Sequence, residues 1–431
     1  MSHTFFHRIY DGLVLPALWG GSRVLALVQS KVRRGLNERV GLNDRAAAFR
    51  RTVGERRVIL FHCASAGELE ALKPLAREFD RERTALVVSY FSPSARSALA
   101  SSSEFDFADY SPIDVRSRVE PYLDAIHPDV IAITKHDVWP NFAWSARRRG
   151  IPLFLINGNF HARSLRLWPC ARRFHAAVYE AFTAMLAVSE EDAANARRIV
   201  GTRVPVEVAG DSRFDRVLAR AQEAAPISAR VEELCAGRAV IVAGSTHPED
   251  EELLLPALRA LKSRWPNVLT LVVPHDPSRR AARRVMSVCV LNGLSAADSE
   301  RLPSDRRCDV LLINRTGVLA DLYRLGRIAF VGGAFGKGVH SVLEPMARGL
   351  PVLCGPNIVV SHEARTAQSE GLLEIMTSRR QLAEKLEQWL ASPSELDELG
   401  RRSREFVQAR AGASARIAAR LKEALRGGVA I

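Results

Sequence analysis

Residues 58–90 read VILFHCASAGELEALKPLAREFDRERTALVVSY. Val58–Cys63 is a mostly apolar run, of the kind a strand buried on both faces requires. Ala64-Ser65-Ala66-Gly67-Glu68 is a turn of small residues closed by an acid, and Leu69–Phe79 then carries apolar residues at helical spacing. Ala85–Tyr90 is apolar again. Strand, turn, helix and strand in this order make a βαβ unit, and therefore a parallel sheet with helices on both faces.

The same alternation continues outward. Apolar runs recur at Val130–Thr134, Leu153–Asn157 and Ala184–Val188, with a helical stretch at Val138–Arg149. The pattern weakens over 216–237, which is rich in Ala, Glu and Arg, and then restarts. The second series is Ala239–Ala243, Val268–Val273, Val310–Ile313, Ile328–Val331 and Val352–Cys354. Residues 378–426 read as long amphipathic helix. The expected organisation is α/β with two Rossmann-like domains, their strand ends facing across a cleft where ligands bind. The expected boundaries are a membrane-associating segment at 1–52, a first domain at 53–215, a linker at 216–225, and a second domain at 226–431 that includes the C-terminal helices.

Composition narrows the class. The chain has 431 residues, 47% hydrophobic and 25% charged, which excludes a disordered chain and a multi-pass membrane protein. A formal charge of +13 favours an anionic partner: a phosphorylated small molecule, an anionic bilayer or nucleic acid. Six scattered cysteines without a C-x-x-C pair fit a reducing compartment, not a zinc site or disulfide scaffold. Residues 12–28, GLVLPALWGGSRVLALV, are apolar, but Pro16, Gly20, Gly21 and Arg23 interrupt them, and the run is short for a span. Nine basic against three acidic residues lie within 1–52. An apolar helix beside a basic cluster is how a peripheral protein sits on an anionic leaflet.

The residues with chemical potential lie on loops after strands. Glu68, behind the turn glycine Gly67, is placed either to cap a helix or to act as a general base. Gly244-Ser245-Thr246-His247-Pro248 is a small-residue turn able to offer amides to a phosphate, although the acidic run 249–252 disfavours phosphate along the following helix. In Pro274-His275-Asp276-Pro277-Ser278-Arg279, His275 is placed to contact a base or phosphate. Residues 330–345, FVGGAFGKGVHSVLEP, end a strand in a loop with four glycines, with a helix expected from about Ser341. Glu344 falls in its first turn, where a carboxylate can accept from two ribose hydroxyls. The loop matches neither the dinucleotide fingerprint nor the P-loop, and its place in the second domain favours a nucleotide-sugar site. No H-e-x-x-H zinc motif, paired Asp-x-Asp or G-x-S-x-G occurs, so a metal-independent mechanism is favoured. No cofactor is expected, and the absence of an aromatic-interleaved basic signature argues against a nucleic-acid partner.

His62-Cys63-Ala64-Ser65-Ala66-Gly67-Glu68 resembles the H-x-x-S-x-G-E motif of the 3-deoxy-D-manno-octulosonic acid (Kdo) transferases, glycosyltransferases of the GT-B fold. The resemblance continues in order through Trp139-Pro140-Asn141, Ala162-Arg163-Ser164, Gly210 to Phe214-Asp215, Gly244 to His247, Pro274 to Arg279, Phe330 to Gly333, His340 to Glu344-Pro345, and Gly355-Pro356. It implies transfer of Kdo from CMP-Kdo to a lipid A precursor in lipopolysaccharide biosynthesis, on the cytoplasmic side of the inner membrane. It implies that Glu68 is the general base and that Arg213, in the place of a motif lysine, stabilises transition-state charge. The implied donor contacts are Ser245, Thr246, Pro274, His275, Thr316, Gly317, Val318, Ser341, Val342, Leu343 and Glu344.

The chain departs from the pattern at several of these positions. Lys135 stands where a functional Glu is expected, which reverses a charge in the site and makes Lys135 a catalytic candidate. His275 replaces an Arg, Val318 a Glu and Ser341 an Asn. The reading that follows is an inverting, metal-independent transferase with glycine-loop amides holding the leaving phosphate. The alternatives are a GT-B enzyme using another nucleotide sugar or glycolipid acceptor, and a non-catalytic protein binding anionic lipid or nucleic acid.

Overall fold

The computed structural model describes residues 3–99, 102–135, 137–161, 164–223, 225–301 and 307–427. His136 and the Ala162-Arg163 pair, both within quoted motifs, lie outside the described residues. The chain divides into two compact units: residues up to Arg216 together with those from Ala411 onward, and Val217–Arg410.

The sheet of the first unit contains β1 (Arg57–Cys63), β2 (Thr84–Tyr90), β3 (Phe107–Tyr110), β4 (Val130–Thr134), β5 (Leu153–Gly158), β6 (Ala184–Ala187) and β7 (Val206–Val208). Their order is β3-β2-β1-β4-β5-β6-β7, and every pairing is parallel. The second unit contains β8 (Ala239–Thr246), β9 (Val268–Pro274), β10 (Ala296–Asp298), β11 (Val310–Leu312), β12 (Ile328–Val331), β13 (Val352–Cys354) and β14 (Leu373–Ile375). It too is wholly parallel, in the order β10-β11-β9-β8-β12-β13-β14. All ten strands expected from the apolar runs are present. The four that were not expected, β3, β7, β10 and β14, are the outer strands of the two sheets. They are three or four residues long and less apolar, because an edge strand is covered less completely than a central one.

The N-terminal segment is more regular than expected. Helix runs from His3 to Val28, with one wide π turn at Tyr10–Val14 just before Pro16. Pro16 therefore opens the next α segment, where its missing N–H costs little, and the glycines do not break it. Phe5–Val28 is long and apolar enough to cross a membrane, so the expectation of too short a run is corrected. One side of it is fixed to the first unit. The Tyr10 hydroxyl donates to Asp114 Oδ2 at 2.8 Å, Asn141 Nδ2 donates to Asp11 Oδ1 at 2.7 Å, and the His7 ring stacks on Trp144 at 3.6 Å. Leu13, Leu18, Leu27 and Val28 remain exposed.

The C-terminal region also differs from expectation. The amphipathic stretch forms three helices, at Arg379–Ala391, Pro393–Ala409 and Ala413–Arg426, interrupted at Pro393 and at Gly412, whose φ is +88°. The first two belong to the second unit, where Leu382, Leu386, Trp389 and Leu396 join its core. The third does not. Ile417, Ala418, Leu421 and Ala424 pack with Leu69 and Leu72 in a core of the first unit. Asp215 caps this helix by accepting from the amides of Gly412 and, at 2.7 Å, Ser414. The assignment of all of 226–431 to the second domain is thus corrected at 411. The expected linker at 216–225 is helical over its first part, as the end of a helix from Ser212 to Gln222.

Two outcomes are expected. Truncation after Arg410 uncovers Leu69 and Leu72, so hydrogen exchange should accelerate in the helix Ala66–Ala76 and not in Pro248–Leu261; equal acceleration in both would refute this assignment. Serine at Leu13, Leu18, Leu27 and Val28 leaves Tyr10 and Leu15 in place. Vesicle cosedimentation of that variant should fall sharply without loss of melting temperature, and undiminished cosedimentation would remove this face from any membrane contact.

Candidate active site

In the first unit the sequence-designated residues gather at the C-terminal ends of the strands. Glu68 lies in the first turn of the helix Ala66–Ala76, directly after β1. Its Oε2 accepts from the amide of Ala64, just ahead of the helix, at 2.6 Å, which occupies one oxygen. Oε1 is the atom that would take a proton. Burial pushes the Glu68 carboxyl above the usual carboxylate range. The Ala64 amide, Lys135 and His62 work against that rise, and Asp137 adds to it. Glu70, two residues on, is committed elsewhere, to Lys73 at 2.5 Å and Arg216 at 2.7 Å.

Lys135 follows β4 and has a φ of +58°, rarely adopted by a residue with a Cβ. Its amide is held by the Ile156 carbonyl at 2.9 Å. Its charge acts on both Glu68 and Asp211. Asp211 is fully buried. Burial alone would raise its pKa, but the Arg213 guanidinium holds the carboxyl below its ordinary value. Arg213 Nε and Nη2 reach Asp211 Oδ2 at 2.8 and 2.6 Å, so Asp211 aims the guanidinium. Asn157 and Ser212 lock this loop. The Ser212 amide donates to Asn157 Oδ1 at 2.9 Å, and its hydroxyl donates to the Ala71 carbonyl at 2.7 Å. Glu68, Lys135 and Arg213 therefore occupy one electrostatic neighbourhood.

His62 was quoted only as a motif residue, yet it organises the site. It is almost wholly buried at the end of β1, with Nδ1 bonded to Ser89 Oγ at 2.9 Å and Nε2 to Asp137 at 3.0 Å. The ring fixes Asp137 beside Glu68. A histidine inside an apolar run was the available signal.

In the second unit the structure sorts the expected donor contacts. Thr316, Gly317 and Ser341 are exposed, and Glu344 is half-buried in the first turn of a helix at Leu343–Ala347. That helix starts two residues later than expected and is five residues long. Val342 and Leu343 are core side chains, so only their backbone can meet a ligand. Thr246 is buried, with its hydroxyl 3.0 Å from Glu251, which Arg284 in turn clamps, so Thr246 also reaches a ligand only through its backbone. Pro274 is buried at the end of β9, and Val318 is half-buried at the start of a short helix. Ser245 has a φ of +52° at the bulge of β8.

The expected phosphate cradle in the glycine loop is corrected. The amides of Gly332, Gly333, Gly336, Gly338, Val339 and His340 all donate within the protein, Gly333 to Asp250 Oδ2 at 2.9 Å. The glycines are needed for close packing instead. A Cβ at Gly332 would lie 2.4 Å from the Ser245 carbonyl oxygen, and Gly333 has a φ of +92°. The same Asp250 oxygen accepts from the His247 amide at 2.8 Å, tying the turn after β8 to the glycine loop.

His247, His275 and His340 come together above these loops, a grouping the sequence reading missed. The His247 and His340 Nε2 atoms are 2.9 Å apart, and the His275 and His340 ring centroids 4.3 Å. Burial, then the neighbouring His275 and His247, pushes His340 down to about 4. Burial and His247 lower His275.

Residues 34–216 match the family described as 3-deoxy-D-manno-octulosonic-acid transferase (kdotransferase). The chain is 25% identical over 413 residues to the 3-deoxy-D-manno-octulosonic acid transferase of Haemophilus influenzae, covering 93% of each. It is 27% identical over 299 residues to that of Aquifex aeolicus, covering 68% of this chain and 75% of the other. Among solved structures, a putative UDP-N-acetylglucosamine 2-epimerase from Listeria monocytogenes shares the fold. The TM-score is 0.61 at 13% identity, over 86% of this chain and 97% of that one.

The electrostatics of Glu68 give a signed expectation. Because Lys135 lowers the Glu68 pKa, Lys135→Ala should move the acid limb of the pH–rate profile to higher pH. Asp137→Asn removes a neighbour that raises it, and should move the limb to lower pH. Shifts of the same sign, or none, in profiles of kcat/KM would show that Glu68 is not the titrating group.

Proposed function

We propose that the chain is a member of the 3-deoxy-D-manno-octulosonic acid transferase family, a glycosyltransferase of lipopolysaccharide biosynthesis, and that it moves Kdo from CMP-Kdo to a lipid A precursor, with inversion; the family match over residues 34–216 and the similarity to curated transferases over most of the chain support this reading. The observation that carries the mechanism is Glu68: a half-buried carboxyl of raised pKa after β1, held by one amide and faced by Lys135 and the His62–Asp137 pair. A sugar hydroxyl is a poor nucleophile at neutral pH. Glu68 takes its proton as the oxygen attacks the anomeric carbon of Kdo, and the bond from that carbon to the CMP phosphate oxygen breaks. Arg213, aimed by Asp211, is offered to developing negative charge.

The donor is read from the second unit. Glu344 is placed for ribose hydroxyls, Thr316, Gly317 and Ser341 are exposed, Ser245 lies at the bulge of β8, and His275 lies on the loop after β9. Thr246, Pro274, Val318, Val342 and Leu343 contribute backbone or shape. Lys135 in place of an acid favours an anionic group, such as the Kdo carboxylate or a lipid A phosphate. The exposed apolar face of Phe5–Val28 and the basic residues after it support a place on the cytoplasmic side of the inner membrane. Nothing in the reading calls for nucleic acid.

The test is Glu68→Gln, which keeps the size of the side chain and part of its capping. Melting temperature and CMP affinity should be nearly unchanged, while single-turnover transfer from CMP-Kdo falls by about two orders of magnitude or more. Near-parental transfer by the folded variant would remove Glu68 from the chemistry.

A further inference from the structure

β9, β8 and β12 are neighbours in the second sheet, so the loops that follow them lie side by side. Each loop carries one histidine at the same level: His275 after β9, His247 after β8 and His340 after β12. One ring nitrogen from each falls within 4.8 Å of the other two. We propose that His247, His275 and His340 form a binding site for a divalent transition-metal ion of the zinc type.

Three observations carry this. The donor set is all imidazole nitrogen, which suits zinc and its neighbours and does not suit magnesium or calcium. Four-coordinate zinc with bonds of about 2.0–2.1 Å places ligand nitrogens about 3.3 Å apart. The closest pair here is at 2.9 Å and all three nitrogens lie within 4.8 Å, so the set brackets that spacing and closes on it by ring rotation.

The backbones that carry the rings are already fixed. The His275 amide donates to the Thr246 carbonyl at 3.0 Å, and the His340 amide to the Gly332 carbonyl at 3.1 Å. The His247 and Gly333 amides share Asp250 Oδ2. Only side-chain rotations remain to be ordered when an ion binds. Three protein ligands leave a fourth position for water or a phosphate oxygen.

The third nitrogen comes from His275, the position where the motif carries an arginine. A guanidinium there would supply no lone pair, so the site is a property of this chain. It is tested by metal binding itself, and its failure leaves the transfer reading standing.

The experiment uses the full chain, stripped with a chelator and titrated with Zn²⁺ by calorimetry and with Co²⁺ by visible absorption. The expected result is a single saturable site and the intense band of four-coordinate cobalt. H275R and H275N change the most exposed of the three rings, so their metal-free melting curves should match the parent's. Each should weaken Zn²⁺ binding by about 100-fold or more and abolish the zinc-induced rise in melting temperature. H161A, at an exposed histidine outside the group, should bind as the parent does. Parental affinity in H275R and H275N, or equal loss in H161A, would overturn the proposal.

Discussion

A parallel sheet covered on both faces leaves a ligand one place to be met: the loops that follow its strands. Both units obey that constraint. In the first, Glu68 follows β1, Lys135 follows β4, and Arg213 lies beyond β7. In the second, His247, His275 and His340 follow β8, β9 and β12. The strands are rigid enough to hold unfavourable backbone at these positions. Lys135, Asn157 and Ser245 all have φ near +50 to +60°, each at or just beyond the end of a strand or at its bulge. Such conformations cost about 1–3 kcal/mol each and persist only where the surroundings over-determine them. Here they do: the Lys135 amide is bound to β5, and Asn157 is bonded twice to Ser212.

The same constraint explains which parts of the fold were legible. A central strand meets apolar side chains on both faces, so its sequence is a mostly apolar run, as in β1, β2, β4, β5 and β8. An outer strand is relieved of part of that demand. β3 is Phe-Ala-Asp-Tyr and β10 is Ala-Ala-Asp, too short and too polar to stand out. The C-terminal helix announced an apolar stripe through Ile417, Leu421 and their neighbours. A stripe shows that a partner exists, but only the structure identifies it as the Leu69–Leu72 face. At the N-terminus, Pro16 was read as a break. The π turn before it lets the helix pass, and turns are not visible in composition.

In the candidate site, the position of Glu68 in the first turn of the helix after β1 was legible from the turn glycine before it. Its surroundings were not. His62 sits inside an apolar run, and its partner Asp137 is 75 residues away. The glycine loop misled for a physical reason. Glycine permits close approach of backbone to anything, and at Gly332 the neighbour is the protein's own Ser245 carbonyl, not a phosphate. The three histidines show no ligand spacing along the chain. Their grouping follows from strand order, which places β8 between β9 and β12 although β12 comes much later in sequence.

The lysine at 135 is the departure with the largest electrostatic consequence. A general base works best when its pKa lies near the working pH, high enough to hold a proton and low enough to be ionised beforehand. Burial and Asp137 both drive Glu68 toward the protonated form. A second carboxylate at 135 would add to that drive, and like charges close together cannot all remain ionised. Lys135 acts in the opposite sense on Glu68 and also on Asp211, whose ionised form orients Arg213. One cation therefore supports two carboxylates, Glu68 and Asp211. The His62–Asp137 pair belongs to the same balance: His62 offsets part of the charge that Asp137 brings to Glu68. Lys135, Asp137 and His62 all act on Glu68, so the loops after β1 and β4 bear on it together.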